Sequence, residues 1–146
     1  GGQVKKADNS HIGIANEIEI NKNGIKHPLY KNKDKKFNSP AFNFDEVVKI
    51  PDKGICLASN KINKVQGLYF EVNKTKIWGL QYHPEITYEK MINLIEFRKE
   101  RLIESRKVFK DDAEVEKHIA FIKKEILVSD KEKRMLELKN WLNELN

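Results

Sequence analysis

The sequence predicts an α/β protein that begins with β-strands and ends with helices. Apolar side chains alternate along residues 11–20 and form short strand-like runs up to residue 82, whereas after Glu85 they recur at helical spacing. Turn-forming residues separate the early segments, and helix-capping residues precede the later apolar stripes. A chain of 146 residues can bury one hydrophobic core, so we expect the strands and helices to pack together.

The strand predictions depend on alternation and on turn residues. Isoleucines at positions 12, 14, 18 and 20 share one parity, which predicts a single strand over residues 11–20. Asn73-Lys74-Thr75 predicts a hairpin turn and therefore an antiparallel pair in a sheet that we expect to be mixed. The other predicted strands cover residues 42–48, 54–59, 65–72 and 76–82.

Three helices are expected after the last strand. Thr87 can cap the first helix, Asp111 or Asp112 can begin the second, and Ser129 with Glu132 forms a capping-box pattern before the third. The stripes expected to face the core are Met91, Leu94, Ile95 and Leu102, then Val115, Ile119, Ile122 and Ile126, and then Met135, Leu138, Trp141, Leu142 and Leu145. For the third stripe, a partner-binding face anchored by Trp141 is the alternative.

The net charge of +6 does not indicate a nucleic-acid partner. Residues 1–86 carry 14 basic and 9 acidic side chains, and residues 87–146 carry 14 and 13. Most of the excess lies in the lysine-rich run 22–36, which we interpret as a solvated loop. Only 4 of the 28 basic residues are arginine, the residue favoured for specific recognition of bases and phosphates.

The sequence predicts no membrane span, no metal site and no disulfide. No apolar run approaches the length of a membrane span, and no charged-then-apolar leader pattern is found. The single cysteine excludes an internal disulfide framework and favours a reducing, cytoplasmic setting. His11, His27 and His118 lack partners at metal-ligand spacing, and no glycine-rich phosphate loop is present, so no cofactor is expected.

The segment 77–85 carries the clearest chemical signal, an apolar strand that ends in His83-Pro84-Glu85. The ring of Pro84 disfavours a helical conformation at His83, and side chains at i and i+2 of an extended chain point to the same side. We therefore expect His83 and Glu85 to face the same space. A histidine with a carboxylate beside its ring is two thirds of a nucleophilic triad, and a polar loop pair without chemistry is the alternative.

This segment resembles the catalytic His-Pro-Glu strand of class I (triad-type) glutamine amidotransferases, and the GMP-synthase-like members in particular. Segments 1–4, 45–51 and 57–59 are similar to family segments in the same order, so the resemblance covers about two thirds of the chain. It implies the C-terminal part of a flavodoxin-like amidotransferase domain over residues 1–108. Residues 109–146 would be a helical extension packed on it.

The resemblance also implies a function. In the family a cysteine attacks the side-chain amide of glutamine, a histidine activates the thiol, a glutamate orients the histidine, and ammonia passes to an acceptor. His83 and Glu85 would hold the last two roles, with glutamine as substrate and a synthetase as candidate partner. The family's nucleophile precedes all the segments matched here, so we expect an N-terminal part in the same or a separate chain to supply it.

Cys56 is the one cysteine that could act as a nucleophile within this sequence. Gly54-Ile55-Cys56-Leu57-Ala58 imitates a nucleophile elbow, but an elbow requires a helix after the turn, and residues 60–66 predict another turn before a strand. We therefore predict that Cys56 is a small buried residue in an ordinary strand. A self-contained cysteine hydrolase and a non-catalytic remnant or interaction module remain as alternatives.

Overall fold

The computed structural model describes residues 1–145, in which strands come first and helices last, as predicted. Two strands, over residues 3–10 and 36–39, and a short helix over residues 22–25 were not predicted. The strands are β1 (Gln3–Ile12), β2 (Ala15–Ile20), β3 (Lys36–Ser39), β4 (Phe42–Lys49), β5 (Ile55–Ser59), β6 (Gly67–Val72) and β7 (Thr75–Leu80). The α-helices are α1 (Lys22–Ile25), α2 (Tyr88–Phe97), α3 (Asp112–Val128), α4 (Lys131–Arg134) and α5 (Leu136–Asn143). A 3₁₀ helix covers Pro28–Tyr30, and a π-helical turn covers Arg101–Ser105.

The strands form two sheets. β1 pairs with β4, and the other five strands follow the order β3-β2-β5-β6-β7. Every strand pair formed by residues 1–145 is antiparallel. The predicted α/β class with C-terminal helices is confirmed, whereas the parallel pairs of the expected mixed sheet do not form within this part of the chain. Short connections such as the β6–β7 hairpin suit antiparallel neighbours, and parallel neighbours need longer crossovers.

The single strand predicted over residues 11–20 is in fact two strands in different sheets. Gly13 separates them with a φ of +85°, a conformation that side chains with a Cβ rarely adopt. Its missing side chain also leaves room for helix residues, because a Cβ there would lie 2.6 Å from Ile122 Cδ1. The alternating isoleucines are all buried, but they belong to two different cores. Ile12 and Ile14 pack with residues of α2 and α3, whereas Ile18 and Ile20 lie in the five-stranded sheet and pack in a second cluster with Leu29 and Leu57.

The hairpin predicted before the candidate site is confirmed. β6 and β7 pair from Val72 opposite Thr75 back to Gly67 opposite Leu80. Asn73 and Lys74 connect them with φ angles of 48° and 67°, as the favoured two-residue hairpin turn requires. This register fixes where β7 ends, and with it the position of the turn that carries His83.

The first two predicted helices are also confirmed. Thr87 Oγ1 accepts the Lys90 N–H at the start of α2, and Asp111 caps α3 by accepting the Glu114 N–H. The two helices pack on each other and on the start of the chain through a buried cluster. Its members include Ile12, Ile14, Ile92, Ile95, Leu102, Val115, Ile119 and Ile122. No helix among residues 1–145 is long and apolar enough to span a membrane.

The prediction for the third helix is wrong in three respects. Asp130 rather than Ser129 provides the cap, and the helix is divided at Met135 into α4 and α5. The predicted apolar stripe is not buried as expected: Met135 and Leu138 are half-buried, and Trp141, Leu142 and Leu145 are 43%, 54% and 65% exposed. The positions buried instead are polar, Glu137 and Asn140, because both have hydrogen-bond partners beneath the helix.

His11 gives the fold a pH dependence that can be measured. Its ring is buried, with Nε2 2.9 Å from Gln66 Nε2, and burial lowers the pKa of His11. The unfolded chain therefore binds a proton near pH 6.5 that the folded chain does not bind until a lower pH. We expect the free energy of unfolding to fall as the pH decreases from about 7.5 to about 5.5, with His11 contributing at most about 1.4 kcal/mol per pH unit. Urea denaturation of wild type and His11→Gln at these pH values checks this, and equal slopes would contradict it.

Candidate functional site

His83 and Glu85 lie together in the turn that follows β7. His83 Nδ1 is 2.9 Å from Glu85 Oε1, so the predicted proximity of the two side chains is confirmed. A turn rather than a continuing strand brings them together: the Ile86 N–H donates to the His83 carbonyl at 3.1 Å, and Pro84 occupies the second position. The His83 N–H donates to the Pro40 carbonyl at 2.7 Å, which fixes the turn to the segment before β4.

This geometry prepares one ring nitrogen for proton transfer. With Nδ1–H donating to the carboxylate, the ring presents Nε2 as the acceptor. Within the described residues Nε2 has no hydrogen-bond partner, and the His83 and Glu85 side chains are 42% and 47% exposed. The pair can therefore take a proton from a group that approaches from the open side, and the carboxylate would stabilise the charged ring.

A buried polar network lies directly before this turn in the chain. The Tyr82 hydroxyl donates to Glu137 Oε1 at 2.7 Å, and Lys33 Nζ donates to Glu137 Oε2 at 2.8 Å. The Tyr30 hydroxyl is 3.1 Å from that of Tyr82. Burial raises the pKa of Tyr82 well above its usual value and lowers the pKa of the Lys33 ammonium, a shift that Glu137 opposes. The interpretation of run 22–36 as a solvated loop is thus wrong for Lys33, because it has this buried partner.

Arg134 contacts the backbone of the turn that carries His83 and Glu85. Its Nη1 donates to the carbonyls of Pro84 and Ile86, at 2.6 and 2.5 Å. Sequence reasoning did not identify Arg134, Glu137 or Lys33 as site residues. Of the three, only Glu137 could have been suspected from sequence, because it is an acidic residue in a helix predicted to pack on the core.

Cys56 lies within β5 and not on an elbow. The strand continues on both sides of it, and its Sγ contacts the carbonyls of Ala58 and Lys64 at 3.5 and 3.4 Å. Burial raises the pKa of the Cys56 thiol, which disfavours the thiolate. The prediction of an ordinary strand is confirmed, but Cys56 is half-buried rather than buried. Within residues 1–145, Cys56 forms no hydrogen bond with His83.

In the described part of the chain, no three His, Cys, Asp or Glu side chains lie close enough together to hold a metal ion.

Comparison with known proteins gives relatives at the level of sequence and fold, although no family model matches the chain. The chain is 32% identical over 96 residues to one subunit of the glutamine-hydrolysing GMP synthase of Methanocaldococcus jannaschii, covering 65% of this chain and 47% of that protein. It is 30% identical over 74 residues to a gamma-glutamyl-L-1-hydroxyisopropylamide hydrolase of Pseudomonas sp., covering 51% of this chain and 25% of that protein. A glutamine amidotransferase of Thermotoga maritima superimposes with a TM-score of 0.66 at 16% identity, covering 99% of this chain and 54% of that one.

The chain resembles GMP-synthase-like glutamine amidotransferases in sequence and in fold. The resemblance predicted from the His-Pro-Glu segment is thereby confirmed. The amidotransferase-like chain spans half or less of the length of the curated relatives it matches.

The resemblance to the amidotransferases implies a histidine shortly before the Asp-x-Val segment, and this chain has Asn43 there. Its Nδ2 donates to Gln81 Oε1 at 3.2 Å and to the Asp45 carbonyl at 3.0 Å. Asn43 thus connects β4 to the residue that follows β7, two positions before His83. An uncharged amide can make this connection at any pH, whereas a histidine could titrate there.

The structure predicts that Cys56 is dispensable for chemistry. Replacing it with serine is expected to leave the rate of any glutamine hydrolysis within about twofold of wild type, because its sulfur contacts carbonyls of its own sheet. An amidase assay with Cys56→Ser, together with intact mass after treatment with a diazo-ketone glutamine analogue, checks this. A covalent adduct on Cys56, or loss of an activity that the chain has alone, would establish the self-contained hydrolase instead.

Proposed function

We propose that this chain contributes the base and its orienting carboxylate to a glutamine amidotransferase, which hydrolyses glutamine to glutamate and ammonia. The observation that carries the proposal is the 2.9 Å contact between His83 Nδ1 and Glu85 Oε1 at the end of β7. That contact leaves Nε2 as the proton acceptor at the open side of the turn. The similarity to a glutamine-hydrolysing synthase subunit supports glutamine as the substrate.

The proposed reaction has two halves. A cysteine thiolate attacks the carboxamide carbon after Nε2 of His83 takes the thiol proton, and the tetrahedral intermediate collapses as the ring returns that proton to the departing ammonia. Water then adds to the γ-glutamyl thioester with His83 again as base, which releases glutamate and regenerates the thiol. Glu85 keeps Nδ1 protonated throughout and stabilises the positively charged ring.

The nucleophile in this proposal comes from outside the described residues, in the same polypeptide or in a separate chain. Cys56 is unsuited to the role because it is held within β5 and its pKa is raised by burial. β7 is an edge strand, with β6 on one side and no strand of residues 1–145 on the other. A further strand added at that edge would lie beside the strand that leads to His83, which is where a nucleophile has to be delivered.

The ammonia acceptor in this proposal belongs to a synthetase partner. The Methanocaldococcus jannaschii relative is named as a subunit of a glutamine-hydrolysing GMP synthase, which supports an amidotransferase that works with a separate synthetase. Release of ammonia on the exposed side of His83 is compatible with transfer to such a partner.

A non-catalytic interaction module with the same fold is the second candidate, and the outward face of α5 favours it. Trp141 is 43% exposed, and a partly exposed aromatic residue is a common anchor in protein interfaces. This candidate predicts that the chain keeps its biological role when His83 is replaced.

The deciding experiment measures glutamate and ammonia from glutamine with the chain alone and with the nucleophile-bearing segment from the same genome. We expect no turnover by the chain alone and measurable turnover after addition. The matched control uses a nucleophile segment whose cysteine is replaced by serine, which should restore nothing. Absence of turnover with a folded, correctly paired complex would reject the catalytic proposal and favour the interaction module.

A further inference from the structure

We propose that α4 and α5 hold His83 and Glu85 in their reactive arrangement, with Arg134 and Glu137 as positioning residues. The inference rests on the proposed function, because positioning has a catalytic meaning only if the pair transfers a proton. It assigns a specific mechanical role to the C-terminal helices, which carry neither member of the pair.

Arg134 secures the turn on the Glu85 side. Pro84 and Ile86 are the residues on either side of Glu85. A single guanidinium nitrogen of Arg134 donates to both of their carbonyls, at 2.6 and 2.5 Å. Because the guanidinium is planar and always charged, this contact fixes the orientation of both peptide groups at any ordinary pH. Glu85 is thus carried on a segment attached to α4 as well as to β7.

Glu137 secures the chain on the His83 side. It accepts the hydroxyl proton of Tyr82, the residue directly before His83, at 2.7 Å in a fully buried position. Lys33 compensates its charge at 2.8 Å. Asn140, one turn further along α5, donates to the carbonyls of Leu29 and Lys31 at 2.9 Å each, which keeps the helix on this surface.

One contact is to the residue before His83 and the other is to the two residues that flank Glu85. Both come from one short stretch of chain about 50 positions away in sequence. The histidine and the carboxylate are each about half exposed, so little packing of their own holds them at 2.9 Å. Proton transfer depends on distances held to a fraction of an ångström. Attachment of the surrounding backbone from α4 and α5 supplies that restraint.

The test compares Arg134→Met, which keeps a similar side-chain length but removes every donor, with the matched control Arg101→Met on the exposed π-helical turn. Two signals are measured by NMR on the full chain without any ligand. The first is the ¹⁵N shift of the His83 ring nitrogens, which reports the tautomer. The second is hydrogen exchange of the Ile86 amide, which bonds to the His83 carbonyl.

In wild type and in Arg101→Met we expect the tautomer with the proton on Nδ1 and a protected Ile86 amide. In Arg134→Met we expect the ring shifts to move toward those of free imidazole and the Ile86 amide to exchange about tenfold faster or more, as for loss of a hydrogen bond to a charged group. Amides of β2 and β5 should stay within about twofold of wild type. Unchanged ring and amide signals in a folded Arg134→Met protein would overturn the proposal.

A second variant covers the case in which Arg134→Met does not fold. Arg134→Lys keeps the charge and one donor group, so an intermediate shift of the ring signals is expected. If neither variant folds, Arg134 is a determinant of the whole fold and the positioning role is wrong. None of these readouts requires turnover. Absence of glutamine hydrolysis by the complex with the nucleophile-bearing segment would therefore refute the proposed function, while the positioning result stays readable. With an active complex, Arg134→Met should lower kcat and leave KM unchanged.

Discussion

Replacing His83 with asparagine should lower kcat/KM for glutamine hydrolysis by about 10²–10⁴-fold in the complex that contains the nucleophile. Asparagine keeps a polar group near Glu85 but cannot accept the thiol proton or return it to ammonia. The loss should appear mainly in kcat, because proton transfer acts in the transition state more than in substrate binding. Steady-state release of glutamate at saturating and limiting glutamine separates the two constants.

Two controls make this result specific. His118→Asn changes a histidine that contacts the Ile12 carbonyl from α3, on the helical core and outside the pair, and activity should stay within a few-fold of wild type. Glu85→Gln should lose less activity than His83→Asn, since its amide oxygen can still accept Nδ1–H but carries no charge to stabilise the ring. If His83→Asn remained within about twofold of wild type, the assignment of His83 as the base would be wrong.

Removing the Glu137 carboxylate should be the most damaging single change to stability away from the pair. In Glu137→Ala the Lys33 ammonium, whose side chain is 4% exposed, would lose its charged partner, and Tyr82 would lose its acceptor. Breaking a buried pair from one side costs about 3–5 kcal/mol in free energy of unfolding. Urea denaturation followed by circular dichroism measures the change.

The comparison variant is Glu104→Ala, which removes an exposed carboxylate from the π-helical turn and should change the free energy of unfolding by less than about 0.5 kcal/mol. The double replacement Lys33→Met with Glu137→Leu should recover much of the lost stability, because neither buried charge is then left alone. A loss below about 1 kcal/mol for Glu137→Ala would mean that water enters to solvate Lys33 and that the network is not the buried pair inferred here.

Local sequence patterns correctly predicted those features of the structure that depend on residues close together in the chain. The hairpin at Asn73-Lys74, the cap at Thr87 and the pairing of His83 with Glu85 each involve groups within three positions of each other. Such interactions depend on turn geometry, capping and side-chain direction, which are properties of a short segment. The resemblance of the His-Pro-Glu segment to the amidotransferase strand was likewise visible in one short segment.

Predictions failed where distant groups compete for the same residue. Periodicity alone indicated one strand over residues 11–20, because it cannot show that Gly13 passes against Ile122 of α3 and separates two cores. The stripe of the third helix is only partly buried for a related reason. Buried hydrogen bonds of Glu137 and Asn140 to Tyr82 and Leu29 determined which side of α5 faces the protein.

The α/β class, the strand environment of Cys56 and the proximity of His83 to Glu85 could be predicted from sequence, because each depends on residues close together in the chain. Only the tertiary structure revealed the Lys33–Glu137–Tyr82 network and the contact of Arg134 with the turn that carries Glu85. These polar contacts join residues from about 50 to about 100 positions apart. Their energy depends on burial and on exact partner geometry, which exist only once the chain has folded.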